Sequence, residues 1–384
     1  MPHDPRRLHV AVLIDVVAEI GGAEVLAVEL LRRLDPEDFE RTLVVYRRLP
    51  SGSREARSQE QVIAGLRADG VRVLTLDGAS RYDLRSWAPF VRLLRHGGVD
   101  VVHSHLFGPN LWASLWTRVA RVPAFVAHEH TWSYEGRPLR KLADRWVVAA
   151  SADVFLAVSE EDRRQMRTAE RIPDAAIRVL PNGIAPPAQG AEGLRAELGV
   201  PDGVPLIGSV GLLRPQKDYG TLIRAHAVVL ERHPDARLVI LGDGPEEGAL
   251  RGLVAELGLG ERVLLPGFHA AGAAAASQFD VAVNSSTFEG SSLAIIEYMA
   301  LGRPIVATAV GGTPDLLAGG EAGVLVPAGA PEALGGAIAD VLDDPARAAA
   351  LGERARARQR AEYDIGVQVG RLSALYRELT GRGG

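Results

Sequence analysis

The sequence predicts an α/β protein made of two doubly wound parallel sheets, two Rossmann-like domains facing across a cleft. Three observations lead there. Short apolar runs alternate with segments of helical period along nearly the whole chain, the pattern of a parallel sheet covered on both faces. The alternation pauses once, in a stretch from 184 to 205 rich in Pro, Gly and Ala, and then restarts. Finally, 384 residues are many for one core.

In chain order, residues 9–14 read as the first strand. Gly21-Gly22-Ala23-Glu24 then opens a helix with Val25, Leu26, Val28, Leu30, Leu31 and Leu34 at helical spacing, stopped by Asp35-Pro36. Further strands are expected at 42–46, 71–76, 99–103, 124–128, 154–158 and 178–180. Helices at 59–68, 87–96, 110–120, 140–150 and 160–168 separate most of them. Pro181-Asn182-Gly183 closes this half. After the linker, with a short helical stretch at 192–198, strands are expected at 206–210, 237–241, 262–265, 280–283, 304–308 and 323–326. Helices are read at 219–232, 246–257, from the stretch Glu289–Glu297 through Ala300, and at 312–317. From Ala330 the chain is helical nearly to its end, with breaks around Asp343-Asp344-Pro345 and Tyr363-Asp364. The expected domains are 1–184, 185–365, and a C-terminal helix at 366–384 that packs back on the first.

Composition narrows the function classes. A 47% hydrophobic and 24% charged chain without cysteine is globular, with no disulfide framework and no thiolate metal site. Residues 1–184 carry 26 basic and 24 acidic side chains and the remainder 17 and 24, so neither half argues for nucleic acid. No apolar run reaches the roughly 18 residues of a membrane span. Asp15 and Glu19 interrupt the only signal-like segment, and a cytoplasmic protein is expected. Lys141 and Lys217 are the only lysines among 43 basic residues, which makes each worth attention.

In such sheets ligands bind beyond the carboxyl ends of the strands. After the first strand, Gly21-Gly22 would let backbone N–H groups approach a phosphate. His103 and His105 follow the fourth strand, and His128 and His130 the fifth. These histidines read as polar fillers of the sheet edge, as zinc ligands, or as substrate contacts. The zinc reading is discounted, because His-x-His on one extended strand does not by itself place four nitrogens tetrahedrally. In the second half, Arg214 and Lys217 offer two cations after a strand, suited to a diphosphate. Gly242-Asp243-Gly244-Pro245 forms another strand-end turn. Gly290-Ser291-Ser292 before a helix leaves outward N–H groups, flanked by Glu289 and, about two turns into the helix, Glu297. A capping box is the bland alternative for that stretch.

With these residues in place the chain resembles, over nearly its whole length, the retaining nucleotide-sugar glycosyltransferases of family 4, which have the GT-B fold. The most specific element is Glu-x7-Glu, Glu289 to Glu297, followed by Met299-Ala300-x-Gly302-x-Pro304-Ile305-Val306-Ala307 and Gly311-Gly312. Gly21 to Glu24, Pro181 to Ile184, Gly242-x-Gly-Pro245 and the His-x-His ends support it. The resemblance implies an acceptor-side first domain and a nucleotide-sugar-binding second one. It implies that Glu297 holds the ribose hydroxyls and Glu289 faces the transferred sugar. The N–H groups of Gly290, Ser291, Ser292 and Leu293 would bind sugar hydroxyls and diphosphate. Lys217 would neutralise the diphosphate, Gly21 and Gly22 would approach it, and His130, with His128 as the neighbouring alternative, would stand near the sugar's C6 hydroxyl. One departure is plain: the family's diphosphate arginine falls at Leu212 here, and Arg214, on the same side two positions on if the strand continues, is the candidate replacement.

The expected activity is transfer of a sugar from a nucleoside diphosphate sugar, UDP by family frequency, to a hydroxyl acceptor with retention. No cofactor and no metal are expected. A glycoside hydrolase fits poorly, since retaining hydrolases hold their carboxyls about 5–5.5 Å apart. A nucleotide-sugar 2-epimerase and a non-enzymatic two-lobed sugar binder are the alternatives. The acceptor would be a saccharide, a lipid-linked saccharide or a natural-product aglycone. Trp132, Tyr134 and Trp146 among Arg137, Arg140, Lys141 and Arg145 suggest peripheral contact with anionic lipid, against the alternative of a solvated basic helix.

Overall fold

The computed structural model describes residues 7–17, 22–49, 52–76, 83–130, 138–187, 193–269 and 271–382. They form two compact units: Met1–Asn182 with Ile365–Gly384, and Gly183–Asp364.

In the first unit seven described strands run parallel: β1 Leu8–Ile14, β2 Phe39–Val45, β3 Arg72–Thr75, β4 Val101–His105, β5 Ala124–His128, β6 Val154–Ala157 and β7 Ile177–Val179. Their order is β3-β2-β1-β4-β5-β6-β7, so the winding reverses between β1 and β4. Every residue of β1 is buried, as expected for a central strand with helices on both faces. Trp87 anchors one side of the core, stacked on Tyr46 at 4.7 Å and edge-on to Phe90. The C-terminal helix Ile365–Leu379 completes this unit. Its Tyr376 is buried edge-on to Phe39 at 6.3 Å, and Glu378 receives a two-pronged bond from Arg178.

The second unit holds six described parallel strands: β8 Leu206–Val210, β9 Arg237–Leu241, β10 Val263–Gly267, β11 Val281–Asn284, β12 Ile305–Thr308 and β13 Val324–Val326. The order β10-β9-β8-β11-β12-β13 reverses between β8 and β11. Alternate residues feed two separate cores. Ile207, Leu238, Ile240, Val281 and Val283 enter one, and Leu206, Val239, Leu241, Ala282 and Ile305 the other. That division is the period of two of a strand with both faces covered.

Some local expectations shift. The helix expected at 140–150 is a short one, Pro138–Ala143, that widens into a π turn at Asp144–Val148, and the one at 192–198 shrinks to Leu194–Glu197. β4 runs two residues further than its apolar content suggested. His103 and His105 therefore lie inside the strand, held by pairing of His105 with His128 and by a bond from the Leu106 N–H to the His128 carbonyl. Among the described residues no helix is long and apolar enough to cross a membrane.

Candidate active site

In the second unit the loops after β8 and β11 meet at the point where the winding reverses. The Thr287 N–H donates to the Gln216 carbonyl (2.9 Å), Gln216 Nε2 to the Phe288 carbonyl (2.8 Å), and Ser285 Oγ to the Lys217 carbonyl (2.8 Å). From β12, Thr308 Oγ1 donates to the Ser286 carbonyl at 2.6 Å. These bonds fix Lys217 against Glu289, with Nζ 2.5 Å from Oε1. The same buried oxygen accepts from Ser286 Oγ at 2.7 Å and Asn284 Nδ2 at 3.4 Å. A charge-assisted pair with further hydrogen bonds is the condition under which a buried carboxylate is tolerated.

After β12 the backbone requires a glycine at Gly311. At φ +51° its position forbids a side chain, because an added Cβ would lie 1.6 Å from the Glu289 carbonyl oxygen. The Gly312 N–H donates to the carbonyls of Glu289 (3.2 Å) and Gly290 (3.1 Å). The backbone on either side of the Glu289 side chain is thereby clamped.

The following helix spans Leu293–Ala300 with Ser292 at its N-cap. Glu297 thus lies just over one turn in, not two, because Gly290–Ser292 remain outside the helix. The capping-box alternative fails as well: the Ser292 side chain makes no cap, and its Oγ accepts from Asn284 Nδ2 at 3.4 Å. The first N–H groups of the helix have no intrahelical acceptors, and the positive end of its dipole lies here. Burial raises the Glu297 carboxyl to about 7, against a downward pull from Lys217. One ammonium therefore acts on both carboxylates.

Arg214 differs from Lys217. β8 ends at Val210, so Leu212 and Arg214 sit in a turn, with the Arg214 N–H donating to the Leu212 carbonyl at 2.9 Å. The expected shared strand side does not exist. Arg214 is exposed and Lys217 half-buried.

In the first unit, Gly22 is the first residue of the helix Gly22–Arg33 after β1, and Gly21 lies outside the described residues. The ends of β4 and β5 bring four buried histidines together. His105 Nδ1 is 2.8 Å from His130 Nε2, and His103 Nδ1 is 2.6 Å from the Tyr376 hydroxyl. The rings of His128 and His130 stack at 4.1 Å, and those of His103 and His105 lie 4.2 Å apart. Burial pushes all four well below the usual imidazole range, His130 to about 3, so the cluster is neutral near pH 7. It can exchange hydrogen bonds with a ligand but brings no charge.

Residues 191–358 match the family of group 1 glycosyl transferases, and residues 20–186 match glycosyltransferase family 4. D-inositol 3-phosphate glycosyltransferase of Kineococcus radiotolerans is 30% identical, over 94% of this chain and 91% of its own length. The chain belongs to the group 1 glycosyltransferases. Alpha-D-kanosaminyltransferase of Streptomyces kanamyceticus is 29% identical over 75% of this chain and 79% of its own. Among solved structures, Anabaena HepE in complex with UDP and glucose superposes with a TM-score of 0.80. It is 19% identical and covers 97% of this chain and all of its own, a likeness of fold. The transferase is therefore an α/β protein of the GT-B class, with two parallel-sheet, Rossmann-like domains.

Several residues of this glycosyltransferase that shape the two sites carried no motif. Asn284 and Ser286, which hold Glu289, are signalled only by standing where a strand ends. Tyr376 reaches His103 from 273 residues away, and no local pattern announces it. Asp144 is buried in the π turn, and its carboxyl rises to about 8 through burial and the nearby charges of Glu170 and Glu129. Trp132, Tyr134 and Arg137 lie outside the described residues. Of the same stretch, Leu139, Leu142 and Trp146 are exposed, with the Arg145 guanidinium 4.5 Å from the Trp146 ring centre.

Proposed function

We propose that this glycosyltransferase moves a sugar from a nucleoside diphosphate sugar, with UDP as the nucleotide, to a hydroxyl acceptor with retention at the anomeric carbon. The observation that carries the reading is the Lys217–Glu289 pair, set before a helix N-terminus with Glu297 within the ammonium's electrostatic reach. Glu297 holds the ribose, and Glu289 turns to the transferred sugar when Lys217 leaves it for the diphosphate. The N–H groups of Gly290, Ser291, Ser292 and Leu293 bind the sugar hydroxyls and phosphate oxygens. Arg214, exposed and outside the strand, adds charge when the diphosphate is bound. Gly21, Gly22 and neutral His130 keep the roles that the resemblance gives them, the glycines toward the diphosphate and the imidazole toward the sugar's C6 hydroxyl.

In the proposed step the bond from the anomeric carbon to the diphosphate breaks and the acceptor oxygen bonds on the same face. The acceptor proton passes to the departing phosphate oxygen. The protein's share is electrostatic: cations and helix ends meet the growing negative charge, so the diphosphate needs no metal ion and the reaction no cofactor. The UDP-bound solved neighbour supports UDP as the nucleotide, and the relative named for inositol 3-phosphate supports a soluble polyhydroxylated acceptor. A lipid-linked saccharide at the membrane surface is favoured by the exposed Leu139, Leu142 and Trp146 beside basic residues.

The deciding experiment screens nucleotide sugars for thermal stabilisation and for slow hydrolysis. A UDP-sugar is expected to raise the melting temperature and release UDP; stabilisation by none of them overturns the reading. Isomerised donor in the absence of acceptor would point to a 2-epimerase instead.

A further inference from the structure

We infer that His103, His105 and His128 form a binding site for one divalent cation of the zinc class. The strands supply what the spacing alone lacks. His103 and His105 are two residues apart on β4 and so share a sheet face, and His128 pairs with His105 from the neighbouring strand β5. One potential ligand nitrogen from each ring lies within 4.8 Å of the others. A tetrahedral centre with Zn–N of about 2.0–2.1 Å separates its nitrogens by roughly 3.4 Å, so small side-chain rotations close the triangle without moving the sheet.

The hydrogen bonds point the rings the right way. His103 uses Nδ1 for the Tyr376 hydroxyl at 2.6 Å and His105 uses Nδ1 for His130 at 2.8 Å, which leaves Nε2 of each for a ligand. Histidines that bind metal characteristically have the second nitrogen tied in this manner. His103 Nε2 and both nitrogens of His128 are buried and lack a hydrogen-bond partner. Unmet polar atoms in a dry interior are costly, and a cation would satisfy them together. Three imidazoles with no thiolate or carboxylate suit zinc, cobalt, nickel or copper rather than magnesium or calcium. Three protein ligands leave a fourth position for water. This inference does not rest on the transferase reading, since binding is measured without any nucleotide.

The test uses untagged full-length protein stripped with a chelator and titrated with cobalt(II), then competed with zinc. One equivalent per chain is expected, with the intense visible bands of tetrahedral cobalt, bleached by zinc. His128→Asn and His103→Asn should each weaken binding at least about 100-fold and Tyr376→Phe about 10-fold. The exposed His96→Asn should leave it unchanged. Absence of the bands in the wild-type protein overturns the inference, whatever the variants do. So does binding that survives in a folded His128→Asn protein.

Discussion

The two units share a topology and differ in what they place at the strand ends. In the second, charge stands on loops: Lys217 and Glu289 extend from turns stitched together by hydrogen bonds to backbone carbonyls. In the first, neutral imidazoles stand on the strands or, as His130 does, two residues past one, buried and stacked. A loop can carry an ion pair because its partners can separate when a ligand arrives. A strand end holds a ring in one place but cannot easily solvate a charge. The comparison teaches that one fold divides its labour by where the side chain is rooted: charge that can shift on the loops, neutral rings held in place at the strand ends.

Removing the charge should have the largest effect. Lys217→Ala is expected to lower kcat/KM for donor by about 10²–10³-fold or more, as losing one aimed donor does elsewhere. Steady-state kinetics with the best donor check it; a loss below tenfold would place the diphosphate elsewhere. Next, Gly311→Ala should destabilise the second unit by on the order of 3 kcal/mol, since the new methyl meets the Glu289 carbonyl in a left-handed backbone. Chemical denaturation measures it, and an unchanged midpoint contradicts the clamp.

The third prediction concerns acid and base in the first unit. Asp144 has a carboxyl near 8 in the fold, against an ordinary value of 3.8. The unfolded chain releases that proton first, so the contribution to stability is full below about pH 4 and is lost as pH rises toward 8. Asp144→Asn should flatten that decline, gaining on the order of 2 kcal/mol over wild type by pH 8. Melting curves from pH 5 to 8 decide; parallel curves for the two proteins would show that Asp144 is ionised in the fold. Smallest is Tyr376→Phe, which strips His103 Nδ1 of its partner and should cost about 1 kcal/mol. A larger loss would mean the hydroxyl organises the whole imidazole cluster.

The strands were the most legible part of the sequence because parallel sheets are buried on both faces and write continuous apolar runs: 124–128, 206–210 and 237–241 are read to the residue. Where polar residues continue a strand, as His103 to His105 do, hydropathy stops short of the hydrogen bonds. Glu289 and Lys217 were readable as strand-end charges, yet their pairing was not, because it depends on three hydrogen bonds to backbone carbonyls between distant loops. The shared strand side of Leu212 and Arg214 fails for a related reason: alternation holds only while the strand lasts, and β8 ends four residues before Arg214. Asp144 carried no signal at all, since nothing in its neighbours forecasts that the helix widens there.

The first unit takes its last helix from the end of the chain, after the whole of the second has intervened. The segments leaving and returning lie side by side, the Ile184 N–H donating to the Tyr363 carbonyl at 3.1 Å. On the ribosome, the sheet of the first unit must therefore wait for Ile365–Leu379, made after the whole of the second unit, before the bond from Tyr376 to His103 can form. A nascent chain halted before Ile365 has already completed the charged site but not the imidazole one.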